Sequence, residues 1–298
     1  MKKFKLLAAV MAAVLSMSVL TACGNKTEET PAPAETEAAV EETQTEEAPE
    51  QEAQTQEAQT EDTQAATEGT EDALADGVLT AGTNAEFPPF EYVGDDGEAD
   101  GFDIALIKAI GEKLGVEVKV ENMEFASLVS SIGTKIDVAI AGMTVTDERK
   151  QTVDFSDSYY EAVQYVILPE GSEIATADDL KNKKIGVQLG TTGDFIAEEI
   201  EGAETSQYNK AVDAVNDLVN GRLDCVIIDK NPALVFESKF EGQVTAVDGV
   251  QFDFAPEEYA IALPKGDTAL AEKLNTALQE LKDDGTFDSL VSQYIEEN

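Results

Sequence analysis

Beyond residue 77 the chain alternates short β-branched runs with segments whose apolar residues recur every three or four positions. Ile104, Ile107, Ile110 and Leu114 fall on one face of a helix over 102–114. The same reading predicts helices over 125–132, 194–200, 211–219 and 267–281, and strands over 78–81, 116–120, 136–140, 184–187 and 224–228. Strands that take turns with helices predict an α/β fold of parallel sheets covered on both faces. Two extended stretches, 159–168 and 257–263, are too long and too polar for buried parallel strands. As crossovers they divide the folded part into two lobes, the first about 77–161 and 258–298, the second about 162–257; as edge strands they leave one sheet. The pattern alone leaves both open.

The preceding residues follow neither period. Met1-Lys2-Lys3, an apolar run over 6–20 and then Thr21-Ala22-Cys23 have the layout of a secretory signal over 1–22. The small residues before Cys23 fit a bacterial lipoprotein cleavage site, at which Cys23 would take diacylglycerol and become the mature N-terminus. The run is shorter than the ~18 apolar residues of a transmembrane helix, and no later run reaches that length. From 25 to 76 the chain is built of Glu, Thr, Ala, Gln and Pro without one aromatic residue, a composition that cannot bury enough apolar surface to fold. The stretch 23–76 is therefore expected to be a lipidated cysteine and a disordered acidic linker. A coil of that length spans roughly 40 Å, enough to hold a domain clear of a lipid surface.

With 61 acidic residues against 20 basic ones, the net charge of -41 argues against binding nucleic acid or adhering directly to an anionic membrane. The chain has no histidine, which excludes Ser-His-Asp and Cys-His catalysis and removes the commonest transition-metal ligand. It has no CxxC, Walker-type loop or G-x-S-x-G either, so neither a metal nor a cofactor is expected. Cys225 lies among apolar residues far from Cys23 and reads as a small core residue.

In doubly wound sheets, ligands collect beyond the C-terminal ends of the strands. Those places hold Asn84, Glu86 and Phe87 after the first strand, and Ala141, Gly142, Thr144 and Arg149 after the third. Gln188, Thr191, Thr192 and Asp229 follow the strands of the second half. Together they offer what an amino-acid zwitterion needs. An α-carboxylate is suited by the fork of Arg149, with hydroxyl and backbone donors from Thr144, Thr191 and Thr192. An α-ammonium needs acceptors, which Asp229 and the carbonyl of Gly142 supply. Phe87 and Phe125 can sandwich a side chain. Each has another reading: Arg149 as a solvated surface charge, Asp229 and the two threonines as helix caps, the phenylalanines as core. Position along the chain does not choose between them.

Taken together, these segments resemble the extracellular solute-binding proteins of amino-acid ABC importers, the class that includes glutamine-, histidine- and arginine-binding proteins. The likeness is carried by Gly82-Thr83-Asn84-Ala85-Glu86-Phe87-Pro88-Pro89-Phe90-Glu91, Gly101-Phe102-Asp103-Ile104, the stretch 136–150, Val153-Asp154-Phe155-Ser156-Asp157-Ser158-Tyr159-Tyr160, Gly190-Thr191-Thr192-Gly193 and Asp283-Asp284-Gly285-Thr286-Phe287. These span nearly all of 78–298 in the family's order. The resemblance implies a periplasmic-binding-protein-like fold of two doubly wound α/β lobes joined by two hinge strands, with the ligand in the interlobe cleft. It implies Arg149 as carboxylate partner and Asp229 as ammonium partner, with Asn84, Phe87, Phe125, Ala141, Gly142, Thr144, Gln188, Thr191 and Thr192 as further contacts. Several family members carry Asp where this chain has Asn84; Glu86 is a candidate replacement.

The function so implied is capture of a free polar amino acid by a lipid-anchored monomer outside the cell membrane, and its delivery to the transmembrane subunits of an ABC permease. An enzyme resembling cyclohexadienyl dehydratases is the alternative, with Glu86 as its acid, although the sequence offers no second proton donor. A ligand sensor that feeds a separate receptor is a third.

Overall fold

The computed structural model of the protein describes residues 73–296. The signal, Cys23 and nearly all of the linker read from the sequence lie outside the described residues.

The first sheet has five strands in the order Glu117–Asn122, Val78–Thr83, Val138–Ala139, Ala262–Pro264, Val153–Phe155. Its first three are parallel to one another, and Ala262–Pro264 enters antiparallel to both neighbours. Period-two alternation divides the burial: Leu79, Ala81, Val138 and Ile140 pack with Phe102, Leu106, Ile107 and Ile110 of the helix Phe102–Leu114. Ala139 and Ala141 point the other way, among Leu128, Ile136 and Met143. The second sheet runs Glu204–Tyr208, Lys184–Gln188, Cys225–Asp229, Tyr160–Pro169, Val244–Asp248. Val226 and Ile228 bury against Ala214, Val215 and Leu218 of the helix Ala211–Val219, while Cys225 and Ile227 bury with Ile185, Val187 and Ala197. Both sheets are thus covered on both faces. Cys225 is fully buried, which pushes its thiol up to about 12, as befits a small core residue.

The two extended stretches resolve as crossovers. The strand Tyr160–Pro169 pairs through its first residues with Pro256–Tyr259, antiparallel, and through the rest with Cys225–Asp229 and Val244–Asp248. The chain so passes between the sheets twice, along two hydrogen-bonded strands. An aromatic cluster clamps this hinge: Tyr259 stacks on Tyr160 at 5.7 Å between ring centroids and meets Phe90 edge-on at 5.3 Å. Because the crossing strands run antiparallel to their neighbours, both sheets are mixed where the alternation predicts parallel ones. The helix expected over 125–132 is a 3-10 turn, Phe125–Ser127, followed by a single α turn, Leu128–Ser131. The strands Glu204–Tyr208 and Val244–Asp248 were not foreseen; the first carries polar residues at four of its five positions, and the second is a five-residue run with Thr245 and Asp248 among its apolar residues.

Candidate ligand-binding site

Where the lobes face each other, the strand-end loops enclose a cavity of about 290 Å³. Asn84, Phe87, Phe125, Ala141, Gly142, Thr144 and Arg149 line it from the first lobe, and Gln188, Thr191, Thr192 and Asp229 from the second. Every residue singled out from the sequence is therefore in the wall except Glu86. That carboxylate turns outward and pairs with Lys210 Nζ at 2.5 Å, because strand alternation puts it on the face opposite buried Phe87.

Arg149 begins a 3-10 turn, and Thr146 Oγ1 accepts its backbone N–H. Its guanidinium is buried, lies 5.3 Å from the Phe125 ring centroid, and donates to the carbonyls of Thr144 at 2.6 Å and Gly190 at 3.0 Å. The second of these bonds crosses between the lobes. No carboxylate among the described residues forms an ion pair with it, and three of its five N–H donors have no bond there. Burial lowers its pKa to about 10, against the pull of Glu257 and Asp229, so it remains a cation at neutral pH. The reading of Arg149 as a solvated surface charge is thereby excluded.

Asp229 ends the strand Cys225–Asp229 and precedes the helix Lys230–Lys239, yet its side chain caps no N–H of that helix. It accepts the hydroxyl of Tyr259 at 2.5 Å instead. Burial, and then the Glu257 carboxylate, push it up to about 7. A cation placed beside it would reverse that shift.

Gly142 shows how the backbone is spent. It sits at φ +52°, and a Cβ there would lie 2.8 Å from Phe87 Cε1, so both its conformation and its space demand glycine. Its N–H donates to Asp103 Oδ2 at 2.7 Å, which Tyr159 also reaches with its hydroxyl at 2.8 Å. Asp103 and Glu91 are both fully buried. Burial raises both, Asp103 to about 6 and Glu91 well above the carboxylate range, where Asp103 pushes it further. Both oxygens of Glu91, and Asp103 Oδ1, are buried without a hydrogen-bond partner among the described residues. Asp103 holds Gly142 from behind, a role not foreseen from the sequence.

The threonines differ from expectation in one respect. Thr191 caps the helix Thr192–Glu199, accepting from Asp194 N, and gives its own hydrogen to the Gln188 carbonyl at 2.8 Å. Thr144 and Thr192 donate to a residue the sequence did not single out, Glu257 Oε2, at 2.6 and 2.8 Å. None of the three hydroxyls keeps a hydrogen for a carboxylate. Strand alternation puts Glu257 on one face with Tyr259, but the contact of Tyr259 with Asp229 that brings this face to the site is between residues distant in sequence. At another part of the wall, Gln188 donates to Asn84 Oδ1 at 2.8 Å across the lobes, while Asn84 donates to the Met123 carbonyl.

Residues 79–297 match the family model of the bacterial extracellular solute-binding proteins, family 3. The chain belongs to that family. Among relatives of this solute-binding protein, the probable histidine-binding protein of Neisseria gonorrhoeae is 33% identical over 224 residues, covering 73% of this chain and 83% of that protein. The arginine-binding extracellular protein ArtP of Bacillus subtilis is 36% identical over 222 residues, 73% of this chain and 86% of its own. In structure it is similar to an ancestral arginine-binding protein bound to arginine, with a TM-score of 0.70 and 40% identity, covering 74% of this chain and 98% of the other. These relatives are named for different amino acids, so membership of the family does not by itself select a side chain.

Proposed function

We propose that this solute-binding protein captures a free polar amino acid between its lobes and hands it to the transmembrane subunits of an ABC importer. One observation carries the reading: the cavity wall contains one guanidinium and one carboxylate, offered by opposite lobes. A zwitterion satisfies both at once, and only while the lobes are together. The names of the relatives, binding proteins for histidine and arginine, support the same guest. Arg149 is its carboxylate partner, helped by backbone N–H groups at the start of Thr192–Glu199, and Asp229 its ammonium partner. Asn84, Gln188, Phe87 and Phe125 surround the side chain. In this reading the lobes divide at about 161 and 258, and the protein acts as a monomer held outside the membrane by lipid on Cys23. Among the described residues no helix is long and apolar enough to cross a membrane, which agrees with a tether. The enzymatic alternative loses its acid, because Glu86 is ion-paired outside the cavity.

A thermal-shift screen of the full chain against the twenty proteinogenic L-amino acids tests the reading. Saturation at a hundred times Kd adds ~2.7 kcal/mol, which raises the melting temperature of a chain of this size by roughly 5–10 °C. A screen in which no amino acid moves the transition would overturn it.

A further inference from the structure

Glu257 lies outside the set of residues that line the cavity, on the hinge strand Pro256–Tyr259, where it pairs with Ala162 of the other hinge strand. Its Oε2 is a meeting point. It accepts Thr144 Oγ1 from the first lobe at 2.6 Å and Thr192 Oγ1 from the second at 2.8 Å, with Gln164 Nε2 of the opposite hinge strand at 3.4 Å. Gln164 also donates to Thr192 Oγ1 at 3.1 Å.

Donor accounting gives this arrangement a meaning for recognition. A threonine hydroxyl has one hydrogen and two lone pairs, and a carboxylate can only accept. With both hydrogens drawn back to Glu257, Thr144 and Thr192 can present only lone pairs to a guest. We infer that Glu257 is a positioning residue of the ligand site: it fixes the hydroxyls of Thr144 and Thr192 as hydrogen-bond acceptors and so sets the wall near them for an ammonium group. The inference rests on the amino-acid reading given above and adds the source of its polarity. Acceptors are then offered by Asp229, the Thr144 and Thr192 hydroxyls and the Gly142 carbonyl, and donors by Arg149 and the backbone N–H groups of the helix start, so each end of a zwitterion has its own partners. Without Glu257 the two hydroxyls could turn their hydrogens toward the guest and meet an ammonium with the wrong end of the dipole. Since one donor comes from each lobe, the acceptor set is complete only when the lobes meet. Groups held behind a contact shell commonly tune it in this way.

Calorimetry on the full-length chain tests this, with the twenty proteinogenic L-amino acids as probes and then the des-amino acid corresponding to the tightest binder. Glu257→Gln should weaken the amino acid by roughly ten- to a hundred-fold, the scale of a hydrogen bond to a charged group, while changing the des-amino acid by less than about three-fold. Thr144→Val should show the same selective loss, and adding Glu257→Gln to it should cost less than about three-fold more, because the two act as a unit. Unchanged affinity in a folded Glu257→Gln protein, or equal weakening of both probes, would overturn the inference and leave the amino-acid reading intact. If Glu257→Gln does not fold, Thr144→Val decides alone, equal weakening of both probes again being the contrary result. Failure of the unaltered protein to bind any of the twenty would overturn the parent reading, and this inference with it.

Discussion

Asp229 carries the strongest consequence at the scale of single residues, since a carboxyl raised to about 7 stores an unfavourable ionisation inside the fold. An acid whose folded pKa lies above its unfolded one keeps its proton longer when folded, so its contribution to stability is present at low pH and is lost as pH rises through the folded value. Asp103, raised to about 6, and Glu91, also raised, act with the same sign. The carboxyls with lowered values, Asp154, Asp179, Asp217 and Asp284, act in the opposite sense, but below the ordinary carboxylate range. Between pH 5 and 7.5 the first group therefore prevails. Without added amino acid, the protein is expected to melt higher at pH 5 than at pH 7.5, by at least the roughly 2–4 °C that 1 kcal/mol produces in a chain of this size. An amino acid that places its ammonium beside Asp229 should shrink the difference. Scanning calorimetry at the two pH values checks both statements, and a higher transition at pH 7.5 would contradict them.

At the scale of elements, the loop that follows the strand Val138–Ala139 is the part least able to change. Gly142 holds a left-handed conformation against Phe87, with Asp103 behind it. Gly142→Ala is expected to cost about 1–3 kcal/mol through backbone strain, and to displace Phe87 from the cavity wall as well. Thermal melting together with binding measurements would show both losses; a variant of native stability and affinity would mean that the loop is slack. Much of this architecture was legible in advance, because periodicity is written by burial. The helix Phe102–Leu114 matches the sequence reading at both ends, and the strand-end rule gathered Arg149, Asp229 and their neighbours around one cavity. What escaped was fixed by partners distant in sequence. Nothing local tells that Glu86 will meet Lys210, or that Glu257 will take hydrogens from Thr144 and Thr192. The segment 125–131 is helical, as its apolar spacing predicts, although its first turn is 3-10.

At the scale of the whole molecule, the lobes meet through polar contacts: Arg149 to Gly190, Gln188 to Asn84, and Lys210 to Glu86. The last of these is an ion pair exposed to water, a kind that contributes little. In the function proposed above, a charged guest bonded to both sides joins them further, so that capture and closure become one event. The central claim is that opposite charges from the two lobes grip opposite ends of one small dipole. A double-mutant cycle by calorimetry tests it most directly, combining Arg149→Ala with the methyl ester of the tightest-binding amino acid. The substitution and the ester should each cost about 2–5 kcal/mol alone, and the ester should cost little more once Arg149 is gone. Additive losses, or wild-type affinity in Arg149→Ala, would contradict it.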